Sequence, residues 1–351
     1  MKKLSLISIL AVGVSAVAHA SGPLGDASTF NAFIFGNYAA ASDSDGAIAV
    51  GGKLTGSQNI NMQNHSGTLG TTTSIGLYAG PSSSIGGTFG GNGNAYLGTG
   101  STFSANNNAH GAINIGANTL QASAFAADET ALKGISSTIA SYTVSSGKAY
   151  DFNIDYSNQN NGVFKYSVGG VAKTLGLGTT QNLKFDFTSV QSNFTVGGVG
   201  VIVLDITSAE LSSLNSHDNN IEFDGLGASK NLLINVIGDG VHGVTWKPQQ
   251  QTNSDTAYTL YNFLNTPTVT NGQQFTGSIL AVNSTITQGG GNIQGNIVAN
   301  GFTQDNEIHF GSDGNGNYLG VTPHANAVPE PASMVGLGMG ALALLRRRKK
   351  A

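Results

Sequence analysis

The sequence predicts a mainly β protein folded as a β-solenoid, and three observations point there. Gly supplies 50 of 351 residues, roughly double ordinary usage. Only 10% of residues are charged, well under half the ordinary share of about 25%. Short apolar runs recur between Gly and Asn punctuation, with starts at 75, 95 and 112 and again at 277 and 295. Short strands at such intervals suggest one coil of a solenoid per repeat. Gly, Asn, Ser and Thr suit its tight corners, because they tolerate positive φ or satisfy the backbone locally. The alternative is a β-sandwich with Gly-rich loops.

The same composition excludes other classes. Collagen requires Gly at every third position and far more Pro than the 7 residues present. The 39% hydrophobic content is enough for a core. Zero Cys excludes a disulfide scaffold and Cys-ligated metal centres. A net charge of −4 argues against a nucleic-acid partner. That figure averages unlike segments. Seven of 15 basic residues lie at the two ends, and between residues 21 and 328 there are eight Lys, no Arg and 18 acidic residues.

The N-terminus, residues 1–20, reads as a secretory signal peptide. Lys2 and Lys3 form its basic region, Leu4 to Val17 its apolar stretch, and Ala18-His19-Ala20 a small-x-small site for signal peptidase. An uncleaved membrane anchor is the alternative, but the apolar run is short for a span.

Residues 21–322 form one expected domain. Its apolar runs include Ala47 to Val50, Ile75 to Ala79, Ala95 to Leu97, Ile113 to Ile115, Ile279 to Val282 and Ile297 to Ala299. From Phe125 to Tyr142 the period changes. Phe125, Leu132, Ile135 and Ile139 recur near 3.6 among good helix formers, which predicts one amphipathic helix covering an open face or end of the β body. Ser208 to Leu214 predicts a short helical turn with Ser208 as N-cap. Val199 to Leu204 and Leu232 to Ile237 are the most apolar runs and predict buried strands.

Residues 323–351 combine Val328-Pro329-Glu330-Pro331, an apolar run from Ala332 to Leu345, and the basic cluster Arg346-Arg347-Arg348-Lys349-Lys350. As a helix the run spans about 21 Å, short of a ~30 Å hydrocarbon core, and with Pro331 and flanking residues it is expected to cross a thin bilayer transiently, with the basic cluster on the cytoplasmic side. The prolines hold the chain extended outside the membrane, where a processing protease can reach it. This order resembles the PEP-CTERM sorting signal of Gram-negative bacteria, which implies an exosortase partner and delivery to the cell surface or extracellular matrix. A permanent transmembrane anchor is the alternative.

The body also carries a resemblance. Phe30 to Tyr38 is followed by Ser42-Asp43-Ser44-Asp45-Gly46 and Ile48 to Gly52, then by the helix near Phe125 and by Leu260-Tyr261-Asn262-Phe263. Gly277 to Ala281, Gly295 to Asn300 and Glu307-Ile308-His309-Phe310 close the series. This order is similar to the choice-of-anchor A family, over nearly all of residues 24 to 318. The resemblance implies a β-helical adhesive surface domain. Asp45 stands where that family commonly has Glu; the carboxylate is kept.

Candidate chemistry is sparse. Asp43 and Asp45 alternate before Gly46, like part of a calcium loop, but the remaining ligands are missing and an Asx turn explains them as well. Asp313 and Asn315 are weighed the same way. No cofactor is expected, and calcium is the one ion left open. Glu307 and His309 lie two apart on one side of a strand, as an acid/base pair, part of a metal site or, preferably, a structural hydrogen-bonded pair. Asp151, Asp155 and Asp186 read as separate carboxylates on solvated strand faces. With no Arg in the body and no nucleophile elbow or phosphate loop, the chain is not expected to be an enzyme.

The expected function is therefore an exported adhesin that binds a polysaccharide or a surface. Polar patches such as Thr71 to Thr73, Asn158 to Asn161 and Gln249 to Gln251, with interleaved Tyr, would suit sugars. A polysaccharide-active β-helix enzyme and an ice-binding protein are the alternatives. A regular Thr-x-Thr ladder would favour ice, and none stands out in the sequence. Deleting residues 329–351 is expected to abolish surface delivery, as read by immunoblot of cell-surface and medium fractions; unchanged delivery would refute the role given to the tail.

Overall fold

The structure, a computed structural model, describes residues 24–309 apart from 64, 92, 109–110, 117, 156–162, 170, 177–181, 197–198, 214–219, 228 and 248–257. The signal segment, the sorting segment, Asp155's side chain and Asp313 lie outside the described residues.

The strands stack in parallel and close a three-sided solenoid. On the first side the order along the axis is Ile113–Ile115, Asn94–Leu97, Thr72–Ala79, Ile48–Val50 and Ala32–Ile34. It continues through Ile297–Thr303, Ser278–Gln288, Thr259–Leu264, Lys230–Ile237 and Val199–Thr207 to Tyr150–Asp155. The second side stacks Thr102–Phe103, Ser84–Phe89, Leu54–Ile60, Tyr38–Ala40, Ile297–Thr303, Ser278–Gln288, Thr268–Asn271 and Val244–Trp246. The third side is short: Phe275–Thr276, Ile293–Gln294 and Ile308–His309, continued by a bridge to Ser44. Parallel pairing on every side rules out the sandwich, which is built from antiparallel sheets.

The coils do not stack in sequence order. The first coil, through Ala32–Ile34, pairs with the last, through Ile297–Thr303, in the middle of the axis. The chain therefore builds outward to Ile113–Ile115 and must then reach the opposite end. Helix α1, Thr119–Ala140, makes that crossing. Its 22 residues span about 33 Å. It lies on the first side, where Phe125 stacks on Phe33 at a centroid distance of 4.4 Å and on Tyr78 at 5.2 Å. Ser136 donates to Asn262 Oδ1 at 2.8 Å. Asn235 donates to the carbonyls of Ile139 and Tyr142, partners that a helix C-terminus otherwise lacks.

The helix starts six residues before Phe125, because Gln121 is anchored by a bond to Thr72 Oγ1. It stops at Ala140, and Tyr142 leaves the helix to pack on Phe194. The second helix, α2, covers Ser208–Ser213. Its cap is Thr207 rather than Ser208. Glu210 N–H donates to Thr207 Oγ1 at 3.2 Å, and Thr207 N–H donates to Glu210 Oε2 at 2.8 Å. This is a capping box, and the Glu fixes which hydroxyl serves.

Alternation splits the core in two. Ile48, Val50, Leu77, Ile202, Leu204 and Ile279 point into the solenoid, while Ala49, Tyr78, Val201, Val203 and Leu280 point out beneath α1. This explains why the strands Val199–Thr207 and Lys230–Ile237 are apolar on both faces. At one corner Gly277 and Gly295 have φ of +120° and +148°, and a Cβ on Gly295 would lie 2.0 Å from the Gly277 carbonyl oxygen. Only Gly fits such stacked corners. Phe125→Ala is expected to lower stability by about 3–5 kcal/mol in urea unfolding. A loss under about 1 kcal/mol would mean that the helix is not held by this stack.

Candidate functional site

The second side carries an ordered row. Reading across the strands, Thr245, Thr270, Thr287, Thr303, Ala39, Thr55, Ser84 and Thr102 occupy matching positions in consecutive strands. Thr245, Thr287, Thr303, Ser84 and Thr102 are exposed and the Thr270 and Thr55 positions are half-buried. At one strand per about 4.8 Å, the row is roughly 34 Å long. Thr268 and Thr285 pair in a second row beside it, about 6.8 Å away along the strands. The ladder that the sequence did not reveal is thus present, assembled across the strands rather than along the chain.

An apolar column lies directly beneath the row. Val244, Val269, Ile286, Phe302, Tyr38 and Leu54 form the matching inward stack, all buried. Tyr38 OH donates to Gln304 Oε1 at 2.9 Å, so its hydroxyl is satisfied inside the core. Burial pushes this phenol well above its ordinary pKa. The single Trp, Trp246, also points inward, against Tyr261 and Phe275. Aromatic rings thus build the support, while hydroxyls and methyls meet the solvent.

The expected site residues gather on the third side. His309 Nδ1 lies 2.7 Å from Asp45 Oδ2, and His309 Nε2 lies 3.2 Å from Glu307 Oε2. Asn292 Nδ2 reaches both His309 Nε2, at 3.1 Å, and Glu307 Oε2, at 3.4 Å. Asp43 is separate, accepting from the Asn59 N–H at 3.2 Å. The two Asp side chains therefore serve different partners. Among the described residues, no group of three or more His, Asp or Glu is arranged to hold a metal. The bond to Asp45 raises the His309 pKa above its ordinary value; burial opposes this, and the charges of Asp45 and Glu307 add to it. Burial lowers that of His65, in the neighbouring coil. Asp45 and His309 join the first coil to the last strand.

Other expected positions are dispersed. Asp151 and Asp205 are neighbours in register at the far end, and Asp205 accepts from Asn235 Nδ2 at 3.0 Å. Burial raises the Asp205 pKa. Asp186 accepts from the Thr188 N–H at 2.8 Å. Thr72 is engaged by Gln121. The patches at 158–161 and 249–251 lie outside the described residues.

The described residues thus form a parallel β-solenoid with a helix covering the first side and a row of hydroxyls on the second. The chain belongs to the family described as "Putative Ice-binding-like adhesive domain", whose model matches residues 23–310. A PEP-CTERM protein-sorting motif matches residues 327–349. The protein is thus an exported surface protein of the Gram-negative type, with an adhesive domain and a signal for exosortase. No curated protein matches the chain. Among solved structures, an ice-binding protein of the Antarctic ascomycete Antarctomyces psychrotrophicus shares 13% identity over 82% of this chain and 98% of its own, with a TM-score of 0.30. A glycosylated ice-binding protein from an Arctic yeast shares 13% over 83% and 94%, TM-score 0.30. An ice-binding protein domain of Shewanella frigidimarina shares 11% over 83% and 98%, TM-score 0.27. Among the described residues no helix is long and apolar enough to cross a membrane.

The raised His309 pKa has a defined sign. A His held charged in the folded state contributes stability fully present below about pH 6.5, and that stability is lost as the pH rises through its folded pKa. His309→Gln is therefore expected to cost about 1.5–3 kcal/mol at pH 5.5 and clearly less at pH 9, by urea unfolding at each pH. An equal loss at both would show that His309 acts by packing alone.

Proposed function

We propose that this protein is a surface-displayed adhesin that attaches to ice through its second side. The threonine row is the observation that supports the reading. Each Thr offers a hydroxyl that donates and accepts hydrogen bonds and a methyl that sheds water. The strand ladder fixes both in a two-dimensional repeat of about 4.8 by 6.8 Å. A fixed repeat is of little use to a flexible soluble ligand. It suits a partner that is itself a lattice of hydrogen-bonding oxygens, and ice is the lattice that the family description names. Because the hydroxyls are positioned before contact, little side-chain freedom is lost on binding.

Export and display are read from the two ends. Signal peptidase cuts after Ala20. The run Ala332 to Leu345 spans the membrane transiently, and exosortase acts near Pro329-Glu330-Pro331, leaving the domain at the surface or in the matrix. In this reading the protein acts by binding, without catalysis or a cofactor, and the structural hydrogen bonds that occupy Asp43, Asp45, Asp186 and Asp205 support it.

The exported protein is expected to partition into a slowly growing ice front. Thr270→Tyr/Thr287→Tyr is expected to lose that partitioning while its stability stays within about 0.5 kcal/mol of wild type, as for surface substitutions. Failure of the wild type to enter ice, with retention on crystalline cellulose or chitin, would replace ice by a polysaccharide. Unchanged ice adsorption by the double variant would move the site off this side.

A further inference from the structure

The two ends of the solenoid are finished differently. At one end the strand Tyr150–Asp155 is followed in the sheet by the antiparallel strands Val163–Val168 and Val171–Gly176. At the other end the last coil stops bare. Its strands Thr102–Phe103 and Asn106–Asn107 pair with Ser84–Phe89, and Ile113–Ile115 pairs with Asn94–Leu97. Among the described residues each of these strands pairs on its inner edge alone. Thr102 and Ser104 donate their N–H groups inward, to the Ser83 and Ile85 carbonyls at 2.8 and 2.9 Å, and Asn108 donates to the Phe89 carbonyl at 2.8 Å. Successive residues of a strand bond to opposite neighbours, so Phe103 and Asn107 turn their backbone groups outward. By the same alternation Gly116 donates inward to the Leu97 carbonyl at 2.8 Å, and Ile115 turns outward.

Edge strands are normally guarded by charged residues or Pro, because an open ladder invites another chain. This end has neither guard. Residues 54–127 contain no Asp, Glu, Lys or Arg, and residues 99–118 contain no Pro. The inward side chains of the last coil, Phe103, Ala105 and Ile113, are only half-buried, and Ile115 is 48% exposed. An open ladder and an apolar rim thus share one end of the molecule.

The charge distribution selects the occupant. Between residues 21 and 328 stand 18 acidic residues and eight Lys, so two copies of this protein repel over most of their surface. Their bare ends carry no charge to repel. We propose that two copies join end to end here, residues 102–107 of one pairing antiparallel with the same edge of the other. The contact is isologous, as in most homodimers. The outward backbone groups belong to odd-numbered residues, so the ladder sets odd opposite odd. Phe103 and Ala105 then stay inward in both copies, and the two second sides face the same way. The end of one coil is small, so the contact belongs to the weak class that buries less than about 1,200 Å².

Sedimentation velocity of the exported protein tests this between about 5 and 500 µM, the range in which weak dimers dissociate. The wild type is expected to shift from monomer to dimer across that range, with the amides of Phe103 and Ile115 gaining protection from hydrogen exchange as the concentration rises. Asn106→Lys/Ile115→Lys, at two exposed positions, is expected to weaken association by about tenfold or more and to leave the thermal midpoint unchanged. Mixed with Asn106→Glu/Ile115→Glu, it is expected to associate again. A wild type that stays monomeric overturns the proposal; protection of those two amides in that monomer would show that a segment of the chain itself occupies the edge. Dimerisation retained by the Lys variant, or growth beyond dimers, also overturns it by placing the contact elsewhere. Should the variants fail to fold, the concentration dependence of wild-type exchange decides.

Discussion

The structure depends on one pairing: the first coil hydrogen bonds to the last. Ala32, Phe33 and Ile34 lie against Ile297, Val298 and Ala299, and Tyr38 lies against Phe302. Asn31, fully buried, reinforces the seam by donating to the carbonyls of Gly295 and His309, each at 3.1 Å, while its Oδ1 accepts from the Gly46 N–H. A solenoid wound in simple sequence order has its termini at opposite ends. Here the described chain begins and ends at the waist, and two stacks extend from it in opposite directions. Helix α1 follows from this arrangement, because the chain must travel from one end to the other outside the coil. Once there, the helix covers an apolar side that would otherwise face water.

The threonine row depends on the same seam. The threonine row crosses it between Thr303 and Ala39, so half of the row comes from each stack. A one-residue slip at the seam would reverse inward and outward positions in one stack relative to the other. Tyr38 would turn to solvent, and one half of the row would turn inward. The buried column through Ile286, Phe302, Tyr38 and Leu54 sets the register, since only one alignment buries all four. The threonine row is thus an outward consequence of a core constraint.

This accounts for what the sequence disclosed and what it hid. Corner glycines and apolar runs are local, so the solenoid was legible from them. The helix was legible from Phe125, Leu132, Ile135 and Ile139, but its first turn was not. Leu120 there is exposed, and the anchor Gln121 acts through Thr72 in a distant coil. The pairing of Glu307 with His309 could be read from spacing two, whereas the Asp45 partner comes from 264 residues away. The threonine row was hidden because it runs across strands. Its members stand at 55, 102, 245, 270, 287 and 303, and their alignment depends on coil length and on the seam. Within the strands of the row, Thr268-Val269-Thr270 and Thr285-Ile286-Thr287 show the pattern along the chain, too few to announce a ladder.

Charge scarcity now has a physical place. With no Arg in the body and few Lys, the coils are joined by amides and hydroxyls, as where Asn262 meets Ser136 and Asn235. Several of the charges that remain sit at joints. Asp45 and His309 fasten the seam. Lys230 Nζ donates to the carbonyls of Phe187, Thr188 and Val190, each at 3.1 Å, tying a loop to its strand. The threonine row itself carries no charged member. A charged side chain binds its own water strongly and must shed it before a lattice can approach. A hydroxyl sheds water at far lower cost and replaces the lost bond within the lattice. The absence of a charged member thus leaves the row itself weakly hydrated.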